Sequence, residues 1–236
     1  MKKIELLKEL GKYPLFNLKT VRDMTNKDGN YTKLLIQRLK KDKLIFEIEK
    51  NKYTLNKDSF TIASNMIWPC YISGWSAVSY YHLTDQIPQA IFVITTRARK
   101  KREIIFNNTK IIFTRVKPKY FFGYKRERYG DYDIFIAEKE KALIDSALLK
   151  KISFSEICDI IKDNVEDINI PLLIKYLIKI KNKSLMKRFG FLLDRLNIKN
   201  DELSRLIDFK YIPLDELISK KGKKDKKWRI IDNVGL

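Results

Sequence analysis

Three segments of helical period followed by one of alternating period, all within the first sixty residues, constrain this chain more than anything else in it. Residues 2–10 set Ile4, Leu7 and Leu10, with Leu6, on one side of a helix and Lys and Glu on the other. Gly11 ends that segment. A short second helix is predicted from about Lys19 to Thr25, with Val21 and Met24 inward. Asn26-Lys27-Asp28-Gly29-Asn30 reads as the polar turn of a helix-turn-helix. The third helix is predicted from about Asn30 to Asp42, with Thr32, Leu35, Ile36 and Leu39 on its inner face. LIFEIEKNKYTL, residues 44–55, alternates like a two-stranded hairpin with Glu49 to Lys52 at its tip.

Helix, helix, longer helix, hairpin is the order of a winged helix-turn-helix, in which the third helix enters the DNA major groove and the hairpin lies along the backbone. Asn30, Lys33, Gln37 and Lys41 recur at steps of three and four on the outer face of that helix, with Lys40 beside them. Asn30 and Gln37 suit base edges, whereas Lys33, Lys40, Lys41, Lys50 and Lys52 suit phosphates. Leu34 falls near the same outer face and has no place in the pattern. The competing reading is a winged helix that binds another protein, its lysines merely solvated.

Charge favours nucleic acid. The chain has 236 residues and a formal net charge of +20. Residues 1–60 carry 15 basic and 8 acidic residues, 61–130 carry 12 and 3, and 131–236 carry 22 and 18. The excess is therefore +7, +9 and +4, and a uniform lysine bias would not thin the acids out of the middle third. A polyanion-facing surface is the physical reading. A hydrophobic fraction of 44% argues against global disorder. No stretch approaches a membrane span, and MKKIELLKEL lacks a signal-peptide core, so the expected location is cytoplasmic. Cys70 and Cys158 form no CxxC pattern and read as reduced core residues.

Residues 61–236 read as a mixed α and β body. Ser59 to Cys70 has no clear period and is taken as a connecting segment, followed from Tyr71 by a small-residue helix that Gln86-Ile87-Pro88 breaks. Strands are predicted at 90–95, 103–106, 110–116 and 132–136, with a turn at Asn107-Asn108-Thr109. Helices are predicted near 138–150, 153–163, 171–181, 184–196 and 201–207, the first burying Ala142, Leu143 and Leu149. A charged loop at Lys220 to Lys227 precedes a closing strand at Trp228 to Ile231. Arg97, Arg99, Lys100, Lys101 and Arg102 leave the 90–95 strand together, with Glu103 as their local acid. Further on, Lys117, Lys119, Lys125, Arg126 and Arg128 interleave with Tyr120, Phe121, Phe122, Tyr124 and Tyr129. That alternation suits a single-stranded nucleic-acid groove, or rings packed inward beneath solvated lysines, the latter slightly favoured.

Catalytic patterns are sparse. His82 is the lone histidine and reads as a helix-end packing residue. None of the eight glycines forms a phosphate-binding loop. Asp131-Tyr132-Asp133 lacks the nearby Gly-Ser turn of a nucleotidyltransferase, and Glu138-Lys139 lacks the spacing of a restriction-type nuclease. No cofactor, metal site or enzymatic activity is expected.

Several of these stretches resemble the AbiEi family, the antitoxin and transcriptional-repressor half of type IV abortive-infection toxin–antitoxin pairs. The resemblance rests on YISGWSAVSYYHLTDQIPQAIFVITTRARKKR at 71–102 and on Arg115-Val116-Lys117-Pro118 with Phe121-Phe122-Gly123. It continues in Ala137-Glu138-Lys139-Glu140-Lys141-Ala142-Leu143-Ile144-Asp145 and in Arg188-Phe189-Gly190-Phe191-Leu192-Leu193, and so spans nearly the whole chain. It implies an α+β protein: a winged helix-turn-helix at 1–60, then an antitoxin domain at 61–236 with a mixed sheet at 90–136 and a helical part at 138–207. It also implies repression of the protein's own operon through inverted repeats in double-stranded DNA. A nucleotidyltransferase toxin would be countered through a charged surface without a stable complex, by a monomer or a DNA-assisted dimer. Two other classes stay open: a basic module binding RNA or the toxin's nucleic-acid substrate, and a solitary winged-helix regulator.

Overall fold

The computed structural model describes residues 2–236 and is mixed α and β. Contacts divide the chain into two compact units. The first runs to Ile72 and takes in Gln89–Arg115 and Arg126–Ile136; the second comprises Ser73–Pro88, Val116–Lys125 and Ala137–Leu236.

In the first unit, α1 (Lys3–Leu10) buries Leu6 and Leu10, one helical turn apart. Ile4, expected inward, is 80% exposed because two residues of helix carry it to the far side from Leu6. Helix α2 (Leu18–Thr25) buries Val21 and is capped by Asn17, whose side chain accepts from the Thr20 amide at 3.0 Å. Asn26 ends it in the left-handed conformation. Asp28 then starts α3 (Gly29–Lys41), accepting from the amides of Asn30 at 2.8 Å and Tyr31 at 2.9 Å. Those two amides also hold the Asp28 carboxyl below its ordinary pKa. Thr32, Ile36 and Leu39 of α3 are buried, Leu35 is half-buried and Leu34 is exposed. Hairpin strands β1 (Phe46–Glu49) and β2 (Lys52–Thr54) turn at Lys50-Asn51, and Phe16 adds a backbone bridge to Tyr53. Leu6, Leu10, Phe16, Val21, Ile36, Leu39, Ile45 and Tyr53 close one core beneath these elements.

The rest of that unit is built on a six-stranded sheet. The expected connection at 59–70 is instead α4 (Ser59–Asn65), capped by Asp58. It is buried on almost every side, so it has no amphipathic period to detect. The expected helix from Tyr71 begins late, because β3 (Cys70–Ser73) comes first, every residue of it buried. The remaining strands are β4 (Ala90–Thr95), β5 (Glu103–Phe106), β6 (Thr109–Arg115), β7 (Tyr124–Tyr129) and β8 (Tyr132–Ala137). Their spatial order is β5-β6-β4-β3-β8-β7. β4 and β6 run parallel over Ala90↔Lys110 to Thr95↔Arg115, and β5 folds back on β6 through Asn107-Asn108. Both asparagines have positive φ, as a tight hairpin turn requires.

The second unit is largely helical: α5 (Trp75–Tyr80), α6 (Lys139–Leu148), α7 (Phe154–Asp163), α8 (Ile170–Ile180), α9 (Lys183–Arg195) and the short α10 (Asp201–Ser204). A small sheet of β9 (Ile212–Pro213), β10 (Lys223–Asp225) and β11 (Ile230–Asp232) follows, so the expected charged loop contains a strand. α6 packs against α5, α7, α8 and α9 and buries Glu140, Lys141 and Asp145 with its apolar residues. Leu149, expected in its core, lies past its end and is half-buried. Lys141 is ion-paired to Asp145, which also accepts from Ser73 Oγ at 2.9 Å; burial pulls the Lys141 pKa down. On α9, Gly190 lets the buried Trp228 ring approach so closely that a Cβ would lie 2.2 Å from it. The indole donates to Asp194 Oδ2 at 2.7 Å.

Candidate nucleic-acid interface

The outer face of α3 is open. Asn30, Lys33, Gln37 and Lys41 are all exposed, and among the described residues no carboxylate is within ion-pair distance of Lys33, Lys41 or of Lys50 at the hairpin tip. Arg38, exposed beside Gln37, belongs with them although the sequence reading passed over it. Its step of four from Leu34 and three to Lys41 was the available signal.

Two flanking lysines have other work. Lys40 is ion-paired with Glu47 on β1, which raises its pKa. Lys52 donates to the Met66 carbonyl at 2.8 Å and lies 3.5 Å from Glu49. Both therefore serve the hairpin's own placement, Lys40 by holding β1 to α3. The phosphate contacts expected of them would have to compete with these partners.

The basic cluster after β4 needs a larger correction. Arg97, Lys100, Lys101 and Arg102 are exposed, as expected. Arg99 is not a free cation facing only Glu103. Its side chain is 10% exposed and pairs with Glu49 of β1, fifty residues away in sequence. Its guanidinium lies 4.0 Å from the Phe113 ring centroid, and its Nε donates to the Lys101 carbonyl at 3.1 Å. Arg99 thus fastens the loop to the hairpin.

The second basic stretch divides between the units. In the first, Arg126 and Arg128 are exposed but share Asp133, and Arg126 holds that carboxyl below its ordinary pKa. In the second, Lys117 and Lys119 are exposed, and the Lys125 ammonium lies 5.3 Å from the Tyr81 ring. The interleaved rings pack on other rings: Phe121 on Tyr124, Phe122 on Tyr176, and Tyr129 on Phe60. With Tyr120 all five are half-buried, closer to the inward-packing alternative than to a row of open rings.

Of the carboxylates weighed for metal chemistry, Asp133 is engaged with two arginines and Glu138 with the Tyr176 hydroxyl, while Asp131 is exposed. Among the described residues no group of three or more His, Cys, Asp or Glu is placed to hold a metal. His82, expected to pack at a helix end, follows α5 but is exposed, with φ 55°. Cys70 and Cys158 are free and buried. Among the described residues no helix is long and apolar enough to cross a membrane. No protein-family model and no curated protein matches the chain.

Proposed function

We propose that the chain is a DNA-binding repressor whose first sixty residues act as a winged helix-turn-helix, with α3 in the major groove and the β1–β2 hairpin against the backbone. The observation that carries this reading is the solvent face of α3. Asn30 and Gln37 offer amides suited to adenine edges, and exposed Lys33, Arg38 and Lys41 surround them, with no carboxylate among the described residues within ion-pair distance. A patch of this charge left open beside base-reading side chains fits duplex DNA better than a protein surface. A winged helix at residues 1–60 is also what the resemblance to AbiEi antitoxins implies. The biological role is accordingly repression of the protein's own operon at inverted repeats and antagonism of a nucleotidyltransferase toxin, the chain itself having no catalytic part. The cations assigned to that antagonism are the exposed ones of residues 97–102 in the first unit and, separately, Lys117 and Lys119 in the second.

A gel-shift series on DNA upstream of the gene tests the first half. Gln37→Ala should relax base preference by roughly 1–3 kcal/mol, the worth of a good base contact. Lys41→Ala should weaken all sequences alike and flatten the salt slope by about one ion. Co-expression with a neighbouring nucleotidyltransferase tests the second half: growth restored by the wild type and not by a Lys100→Glu/Lys101→Glu variant supports it.

A further inference from the structure

Between α1, the α2–α3 turn and α3 lies a cleft of about 540 Å³. Its charge is one-sided. Lys3, Lys27, Arg38 and Lys41 line it against a single carboxylate, Asp42. That carboxylate is already taken: Lys3 Nζ lies 2.6 Å from it and, with a smaller contribution from Lys41, holds its pKa down. Among the described residues no acid pairs with Lys27, Arg38 or Lys41. Three unpaired cations around one concavity repel each other, and an anion there relieves that repulsion.

The floor of the cleft is apolar. Leu6 and Leu39 are buried and Leu35 is half-buried beneath it, while the Tyr31 side of the rim is 46% exposed, with the Lys27 ammonium 5.9 Å from its ring. Small-molecule sites are concave, roughly 300–1,000 Å³, and combine apolar walls with a few charged groups. A DNA phosphate needs only an exposed cation, not an apolar floor of this size.

We propose that this cleft binds a phosphorylated small molecule carrying a flat apolar group, the chemistry of a nucleotide, and that its occupancy releases DNA. The phosphate meets Lys27, Arg38 and Lys41, and the flat group lies along Tyr31 and the leucines. Arg38 and Lys41 belong both to the cleft and to the solvent face of α3, so ligand and duplex draw on the same cations. This release rests on the DNA-binding reading above; the site itself does not.

Calorimetric titration of the full chain without DNA, using adenosine and guanosine 5′-monophosphates, tests the site directly. One-site saturable binding is expected, weakened about tenfold or more by Lys27→Ser/Arg38→Ser and several-fold by Tyr31→Ala, with melting temperatures unchanged. Adenosine alone and inorganic phosphate alone should bind more weakly than the nucleotide. The site assignment is overturned if neither nucleotide saturates at millimolar concentration, if the variants bind like the wild type, or if adenosine binds as tightly as its phosphate. A second titration follows operator DNA by fluorescence anisotropy. Displacement by nucleotide supports release, and DNA binding indifferent to nucleotide overturns it. Nucleotide binding in a protein that ignores DNA would refute the repressor reading while leaving the site standing.

Discussion

Replacing Arg99 by alanine should destabilise the protein far more than reversing any of its charged neighbours. The Arg99 side chain is 10% exposed and its partner Glu49 is 19% exposed, so the pair is largely desolvated. Truncation removes the stacking on Phe113, worth roughly 0.5–2 kcal/mol in a partly dry setting. It also strands Glu49, which for a fully buried charge would cost about 3–5 kcal/mol. Glu49 keeps Lys52 at 3.5 Å and some solvent, so this part falls to about a third of that figure, giving a total of about 1.5–3.5 kcal/mol. In a chain of this size the melting temperature would drop by roughly 3–14 °C. Urea denaturation of Arg99→Ala, Glu49→Ala and the double variant measures both the loss and the coupling. Reversal at Arg97, Lys100, Lys101 or Arg102 should stay within about 0.5 kcal/mol. An Arg99→Ala protein as stable as the wild type, or a double variant whose losses simply add, would refute the reasoning.

Three further outcomes follow from buried or paired groups. Lys150 and Arg188 hold the Glu216 carboxyl at about 2, against an ordinary 4.5. A depressed carboxyl stabilises the fold above its unfolded pKa and loses that contribution as pH falls through the folded one, so stability should decline from about pH 4.5 toward 2 and Glu216→Gln should flatten that decline in acid denaturation curves. Burial pushes the Cys70 thiol up to about 12 and raises Cys158 as well, so a disulfide-exchange reagent at mildly alkaline pH should label neither until urea unfolds the chain. Lys141→Ala takes the lysine from a fully buried Asp145 and should cost about 3–5 kcal/mol, whereas Lys141→Met with Asp145→Leu should recover much of it in the same denaturation assay.

What could be read from the sequence followed how strongly a local period marks an element. α3, β4, β5 and α7–α9 have one clearly buried face or a clean apolar run, and their expected spans lie within a residue or two of those observed. α4 and β3 were missed because they are buried on nearly all sides, which erases the alternation that reveals a helix or a strand. β7 was missed for the opposite reason: YKRERY is an edge strand whose charges dominate its pattern. At the candidate interface the exposed face of α3 was legible, since it depends only on helical steps. The roles of Arg99, Lys40 and Lys52 were not, because their partners Glu49, Glu47 and Met66 are set by tertiary placement and not by sequence neighbours.

The most direct test of the central claim is nuclease footprinting on the region upstream of the gene, with wild type beside a Gln37→Ala/Lys41→Glu variant. The expected result is protection of an inverted repeat at low salt that fades steeply as salt rises and disappears in the variant at every concentration tried. Protection that survives these substitutions on α3 undiminished, or no protection of any upstream sequence by the wild type, would contradict the claim that this helix reads DNA.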